Sequence, residues 1–191
     1  MSSYPVPRLF TPEEYLLLER EALRKSEYSH GLIYAMAGGG LVHNRIASNV
    51  LGHLYGCLRG TSCAANNSDQ KVGVSREGPF YYPDVSISCG AASLLDAHAD
   101  VLLDPFVIVE VLSKSTARYD RTMKLAEYQK IASVIDILLI SQDNCRVEHY
   151  VRGSDGGWSM KVVGVLSEEL VLSGAGGVGL PLSAVYERVE L

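Results

Sequence analysis

An aspartate and a glutamate stand where carboxylates are costly. Asp84 follows Pro83 at the head of the stretch VSISC, and Glu110 interrupts the apolar run FVIVEVL. Val85, Ile87 and Cys89 alternate with small polar residues, the period-two pattern of a strand buried on one face. A carboxylate beside such a core costs free energy unless it is paired, protonated or bound to a cation. The two segments are separated by one connection, so their strands can be sheet neighbours with both acids at one edge. Two carboxylates held together repel unless a cation stands between them, and an oxygen-rich site of that kind suits Mg2+ or Mn2+. Such an ion lowers the pKa of bound water and stabilises charge on a phosphoryl group, which gives a mechanism for hydrolysing a phosphodiester. Plainer readings stand beside this one. Asp84 can be a strand-end residue bonding locally after proline, and Glu110 can sit in a structural ion pair with Arg118 or Lys124.

The elements that must position these acids follow from pattern. Thr11, Pro12 and Glu14 read as a capping box opening a helix that runs to about residue 25. EYSHGLIYAM reads as a hairpin or extended strand, Gly38, Gly39 and Gly40 as a flexible turn, and HNRIASNVLGHLYGCLRG as an amphipathic helix ending near Gly60. His43 opens that helix, where it can lean into a cleft or simply pack. Short strands are expected around 70–75 and 82–89. FVIVEVL is a central strand, RYDRTMKLAEYQKI (118–131) a helix and SVIDILLIS another buried strand. CRVEHYVRG pairs back on it as a hairpin, followed by WSMKVVGV, a glycine-rich loop and a short terminal helix. The order predicts one α/β domain over residues 1–191, a mixed sheet flanked by helices with additional antiparallel strands.

Composition bounds the rest. Of the 191 residues, 47% are hydrophobic and 20% charged, an ordinary globular balance. No apolar run reaches membrane-spanning length, and MSSYPVPRLF lacks the layout of a secretion signal. The four cysteines (57, 63, 89 and 145) show no metal-binding spacing and read as free thiols in a reducing compartment, hence a cytoplasmic protein. The net charge of −5 argues against a strong non-specific grip on nucleic acid. Between Lys114 and Lys130, however, five cations face two anions, a local excess that can draw phosphate.

YYPDVSIS, VIVEVLSKST, RYDRTMKLAEYQK and the early EYSHGLIYAM, taken in order, resemble the PD-(D/E)xK nuclease superfamily. More narrowly, they are similar to its restriction-endonuclease-like family called Uma-two, over about residues 10–188. The resemblance implies a restriction-endonuclease-like fold, a divalent-metal site and a homodimer, and says little about substrate. One position departs from the superfamily pattern: the usual lysine two residues after the strand acid is here Leu112. The resemblance passes that role to Lys124 on the next helix, with Lys114 as fallback, and makes Glu27 a supporting acid. Asp120 and Tyr128, four residues to either side of Lys124, share its helix face. The expected chemistry is Mg2+-dependent endonucleolytic cleavage of DNA. Asp84, Glu110 and the Val111 carbonyl would hold the ion, and Lys124 would position the water. The rival readings are a catalytically inactive module of the same fold that binds nucleic acid or protein, and a structural homodimer with its carboxylates paired internally.

Overall fold

A computed structural model describes residues 8–36, 38–114 and 116–191 of the chain. The opening MSSYPVP, read above as no secretion signal, lies outside them. Helix α1 (Pro12–Glu21) starts as expected: the Thr11 hydroxyl accepts the Glu14 N–H and the Glu14 carboxylate accepts the Thr11 N–H. It buries Tyr15, Leu16 and Glu19. The hairpin β1 (Ser26–Ser29) and β2 (Leu32–Ala35) follows, then helix α2 (Leu41–Cys57), whose buried stripe is Ile46, Val50 and Leu54.

Next come β3 (Cys63–Asn67), β4 (Lys71–Gly73), β5 (Phe80–Tyr81), β6 (Val85–Cys89), β7 (Val101–Leu102) and β8 (Val107–Leu112). The predicted helix over 118–131 is shorter and interrupted. α3 (Ala117–Tyr119) runs into a π turn (Asp120–Lys124) and out as α4 (Leu125–Tyr128). Strands β9 (Asp136–Ser141), β10 (Val147–Arg152) and β11 (Trp158–Val163) complete the main sheet. A hairpin of β12 (Glu169–Leu172) and β13 (Val178–Pro181) leads to α5 (Leu182–Val185).

The six-stranded sheet has the order β11-β10-β9-β8-β6-β3, with β8 and β9 parallel and the other pairs antiparallel. A second sheet runs β2-β1-β5-β4-β7. Every residue of β8 is buried, as its unbroken apolar run requires. Its two faces serve different cores. Val107, Val109 and Val111 pack with α2 and the terminal elements, while Ile108 and Leu112 pack with Leu125, Tyr128 and, from the second sheet, Tyr81. By this alternation Glu110 faces the segmented helix, at the seam of the two sheets.

Three expectations need correction. The glycine-rich stretch around β13 was expected as a loop; it is a strand, held by its partner β12 rather than by propensity. The cysteines are not all free: Cys63 and Cys89 are register partners on β3 and β6 and form a disulfide, leaving Cys57 and Cys145 as thiols. Segments 26 residues apart in sequence meet only through the sheet. The three glycines are not equivalent either. A Cβ at Gly39 would stand 2.5 Å from His43 Nδ1, whereas Gly38 and Gly40 face open space.

Candidate active site

Val85 is the register partner of Val109, so one step outward Asp84 lies opposite Glu110. The Val111 N–H donates to Asp84 Oδ2 at 2.7 Å, seating that carboxylate against the peptide that follows Glu110. Asp84 thus stays beside the sheet end, and its turn-residue reading gives way to a bond across strands. In an extended strand the carbonyl points to the same side as the N–H of its residue, so the Val111 carbonyl faces the same edge.

Glu110 is buried, and its Oε1 is engaged twice, by Lys124 Nζ at 2.8 Å and by the Tyr128 hydroxyl at 2.7 Å. Lys124 also reaches Glu27 Oε1 at 2.9 Å and lies 4.0 Å from Asp120 Oδ1 and 5.4 Å from the centre of the Tyr81 ring. Glu27 Oε1 accepts the Tyr82 N–H as well. The π turn brings Asp120 and Lys124 to the same side, and both are buried. Such turns recur at functional sites because they redirect side chains within a helix. The structure therefore brings together Glu27, Asp84, Glu110, Val111 and Lys124. Lys114 is elsewhere, its side chain 83% exposed and its ammonium 3.8 Å from Asp143. Arg118 makes no contact with Glu110 among those the structure describes.

Four carboxylates (Glu27, Asp84, Glu110, Asp120) share this region with one lysine, so negative charge is in excess. Burial pushes Glu110 up to about 8; Lys124 opposes the rise, while Asp84, Asp120 and Glu27 add to it. Burial likewise raises Asp120 against the pull of Lys124. For Lys124, burial disfavours the charge, but Glu110, Glu27 and Asp120 outweigh it and hold the ammonium protonated.

Sequence reasoning gave little weight to His43. Its Nε2 lies 3.4 Å from Asp84 Oδ2, long for a hydrogen bond but within ion-pair reach, and its side chain is 15% exposed. The available signal was position. His43 extends the Ile46–Val50–Leu54 stripe of α2 by one turn, so a polar residue stands on the packed face, half-buried, beyond the last apolar one.

A divalent ion fits these residues. The contacts named above fall on Oδ2 of Asp84 and Oε1 of Glu110, and the second oxygen of each carboxylate takes part in none of them. Three buried side-chain polar atoms lack a protein partner among the described residues, and two belong to residues close to Asp84 in the fold: Ser86 Oγ, two residues along β6, and Nδ1 of His43, whose Nε2 faces Asp84. Such atoms are completed by water or a bound group. Among the described residues no three His, Cys, Asp or Glu side chains gather to hold one ion. Mg2+ commonly uses one or two carboxylates and keeps several waters.

Comparison with known proteins bears on the same segments. Two uncharacterised proteins of Synechocystis sp. are similar. The protein slr1290 is 35% identical over 156 residues, covering 82% of this chain and 80% of its own length. The protein sll1609 is 32% identical over 151 residues, covering 79% and 85%. Among solved structures, one described as a "putative nuclease belonging to DUF820" from Anabaena variabilis superposes with a TM-score of 0.78. It covers 95% of this chain and 99% of its own at 18% identity, a likeness of fold. The family described as "Uma2: Putative restriction endonuclease" matches residues 12–183, which include all five residues brought together here. The chain belongs to the Uma2 family of restriction-endonuclease-like proteins.

Proposed function

We propose that this protein is a Mg2+- or Mn2+-dependent endonuclease that hydrolyses phosphodiester bonds in DNA. The observation that carries the reading is the meeting of Asp84 and Glu110 at one end of the β6–β8 pair, with Lys124 anchored between Glu110 and Glu27. When bound, the ion would supply a water of lowered pKa and a counter-charge for the phosphoryl oxygens. Asp84 and Glu110 would hold it through their uncommitted oxygens, with the Val111 carbonyl beside them. Lys124 stays charged among its carboxylates, so it acts as a cation that orients water and steadies negative charge rather than as a base. It stands in for the lysine absent at Leu112, reaching the acids from the helix instead of the strand. Glu27 holds Lys124 in place.

The cationic run beyond β8 gives DNA a modest grip. Arg121 pairs with Glu148, Lys130 with Glu127 and Lys124 with the site acids, so much of the local excess is already neutralised. A weak salt dependence of DNA binding follows.

A second reading, a scaffold of this fold that binds without cutting, is favoured by one observation: Glu110 is buried and already paired. A cleft of about 490 Å3 opens nearby, beside Gly40, Lys114 and Asp143, but the acids do not line it. Supercoiled plasmid incubated with Mg2+ or Mn2+ separates the two. Nicking by the wild type that is lost in both Asp84→Asn and Glu110→Gln, with the unfolding midpoint kept, supports the nuclease. The expected loss is at least about 100-fold, the size of effect that removal of one transition-state contact produces. DNA bound but left intact under both ions would establish the scaffold.

A further inference from the structure

Glu110 is steadied by Tyr128 and Lys124 from one side of the sheet, and Asp84 has a counterpart on the other. We infer that His43 is a positioning residue for Asp84, one that sets how its carboxylate is presented to a divalent ion. This rests on the metal site proposed above.

The Val111 N–H alone would leave the Asp84 carboxylate free to tilt about a single bond. His43 Nε2, 3.4 Å from the same Oδ2, gives that oxygen a second neighbour, and neither contact involves Oδ1. The ring is itself held. It opens α2, whose next turns are locked in the core by Ile46 and Val50. Its Nδ1 edge lies against Gly39, where a Cβ would approach to 2.5 Å, and a second atom of the ring, Cγ, would lie 3.0 Å from that Cβ. Asn44 fastens the loop by donating from Nδ2 to the Gly39 carbonyl at 3.0 Å. The glycine turn thus has a definite task at its middle residue: it makes room for an imidazole wedged between the backbone and Asp84.

Partners that orient a metal-binding carboxylate change affinity by about 10- to 100-fold when removed. The experiment is calorimetric titration of the metal-free protein with Mn2+, comparing wild type with His43→Ala, His43→Gln and Gly39→Ala, each checked for an unchanged unfolding midpoint. Gln can place an N–H near the Nε2 position. Gly39→Ala leaves every polar group of the site in the chain and crowds the ring most, with the Asn44 Oδ1 next at 2.9 Å from the new Cβ. Binding about tenfold weaker in His43→Ala and Gly39→Ala, with His43→Gln near wild type, is the expected pattern. On saturated enzyme the same variants should raise the Mn2+ concentration needed for half-maximal cleavage more than they lower the maximal rate. His43→Ala binding Mn2+ as tightly as wild type overturns the inference and leaves the metal site standing. His43→Gln as weak as His43→Ala also overturns it, because the imidazole would then be a ligand itself. Should wild type take up no Mn2+ at all, the metal site fails first and this role goes with it. If His43→Ala does not fold, the pair Gly39→Ala and His43→Gln carries the same comparison.

Discussion

The parallel pair β8–β9 carries a buried acid near each end, and the two are built on opposite plans. At the start of β9, Asp136 is fully buried. Its Oδ1 faces His149 Nε2 at 2.7 Å and its Oδ2 accepts the Gly174 N–H at 2.6 Å. A Cβ at Gly174 would stand 2.6 Å from the Phe106 carbonyl, so the chain comes this close only as glycine. One acid meets one base and one amide, and both oxygens are used. Near the other end, three acids surround Lys124 and a fourth, Asp84, lies opposite Glu110, and among the described residues His43 Nδ1 and Ser86 Oγ have no protein partner. Burial alone therefore does not mark a site. What separates a structural pair from a candidate active site is whether charge and hydrogen bonds close within the protein.

The largest effect expected from this contrast is on the closed pair. Asp136→Ala leaves His149 and the Gly174 amide without their partner in the core, and breaking a buried pair from one side costs about 3–5 kcal/mol. Urea unfolding should show that loss, while cleavage per folded molecule stays unchanged. Asp84→Asn should do the reverse, removing cleavage while the urea midpoint holds or rises, since it lowers the excess of negative charge. A cost under about 1 kcal/mol for Asp136→Ala, the worth of one ordinary hydrogen bond, would erase the distinction.

A smaller effect should appear with pH. In metal-free protein Glu110 titrates at about 8, above the ordinary value of 4.5, with burial the main cause. Between those values the folded state keeps a proton that the unfolded chain has released. The sign follows from linkage: this contribution is complete below pH 4.5 and is lost as pH rises toward and through 8. Unfolding in the presence of a chelator should therefore show stability falling between about pH 5 and 8, and Glu110→Gln should flatten that slope. An added divalent ion competes with the proton, so it should raise the midpoint more at pH 8 than at pH 6. A slope that survives Glu110→Gln would assign the titration to another group.

The two ends also differ in how much of each could be read beforehand. Asp84 and Glu110 were legible because a carboxylate inside a strand pattern violates the local rule, and such violations concentrate at sites. Lys124 and Glu27 were legible only through the family resemblance, since a lysine in RYDRTMKLAEYQK has the look of a solvated helix residue. Asp136 and His149 raised no alarm, though both are buried: Asp136 heads its strand and His149 carries no ligand spacing. Apolar periodicity located α1, α2, β8 and β9. It failed at β3 and β13, where alanine, asparagine and glycine are held as strands by their neighbours. It failed also at the π turn, because a helix pattern does not register one extra residue in a turn. The Cys63–Cys89 bridge and the His43–Asp84 contact depend on packing between distant segments, which spacing along the chain does not encode.

The finest test of the contrast is Tyr128→Phe. The hydroxyl donates to Glu110 Oε1 at 2.7 Å from a fully buried ring that meets Tyr81 edge-on, with centroids 5.4 Å apart. Phenylalanine keeps the ring and its contact and removes only the bond. Oε1 retains Lys124 at 2.8 Å, so no acceptor is stranded, and the stability cost should be about 1 kcal/mol, the ordinary worth of one hydrogen bond. The bond favours the ionised carboxylate, so its loss should extend the fall of stability to higher pH and weaken Mn2+ uptake less than His43→Ala does. Thermal unfolding at several pH values reads the first effect and calorimetry the second. A cost near 3 kcal/mol would mean that Glu110 is as tightly built into the core as Asp136, and the open end of β8 would then be structural too.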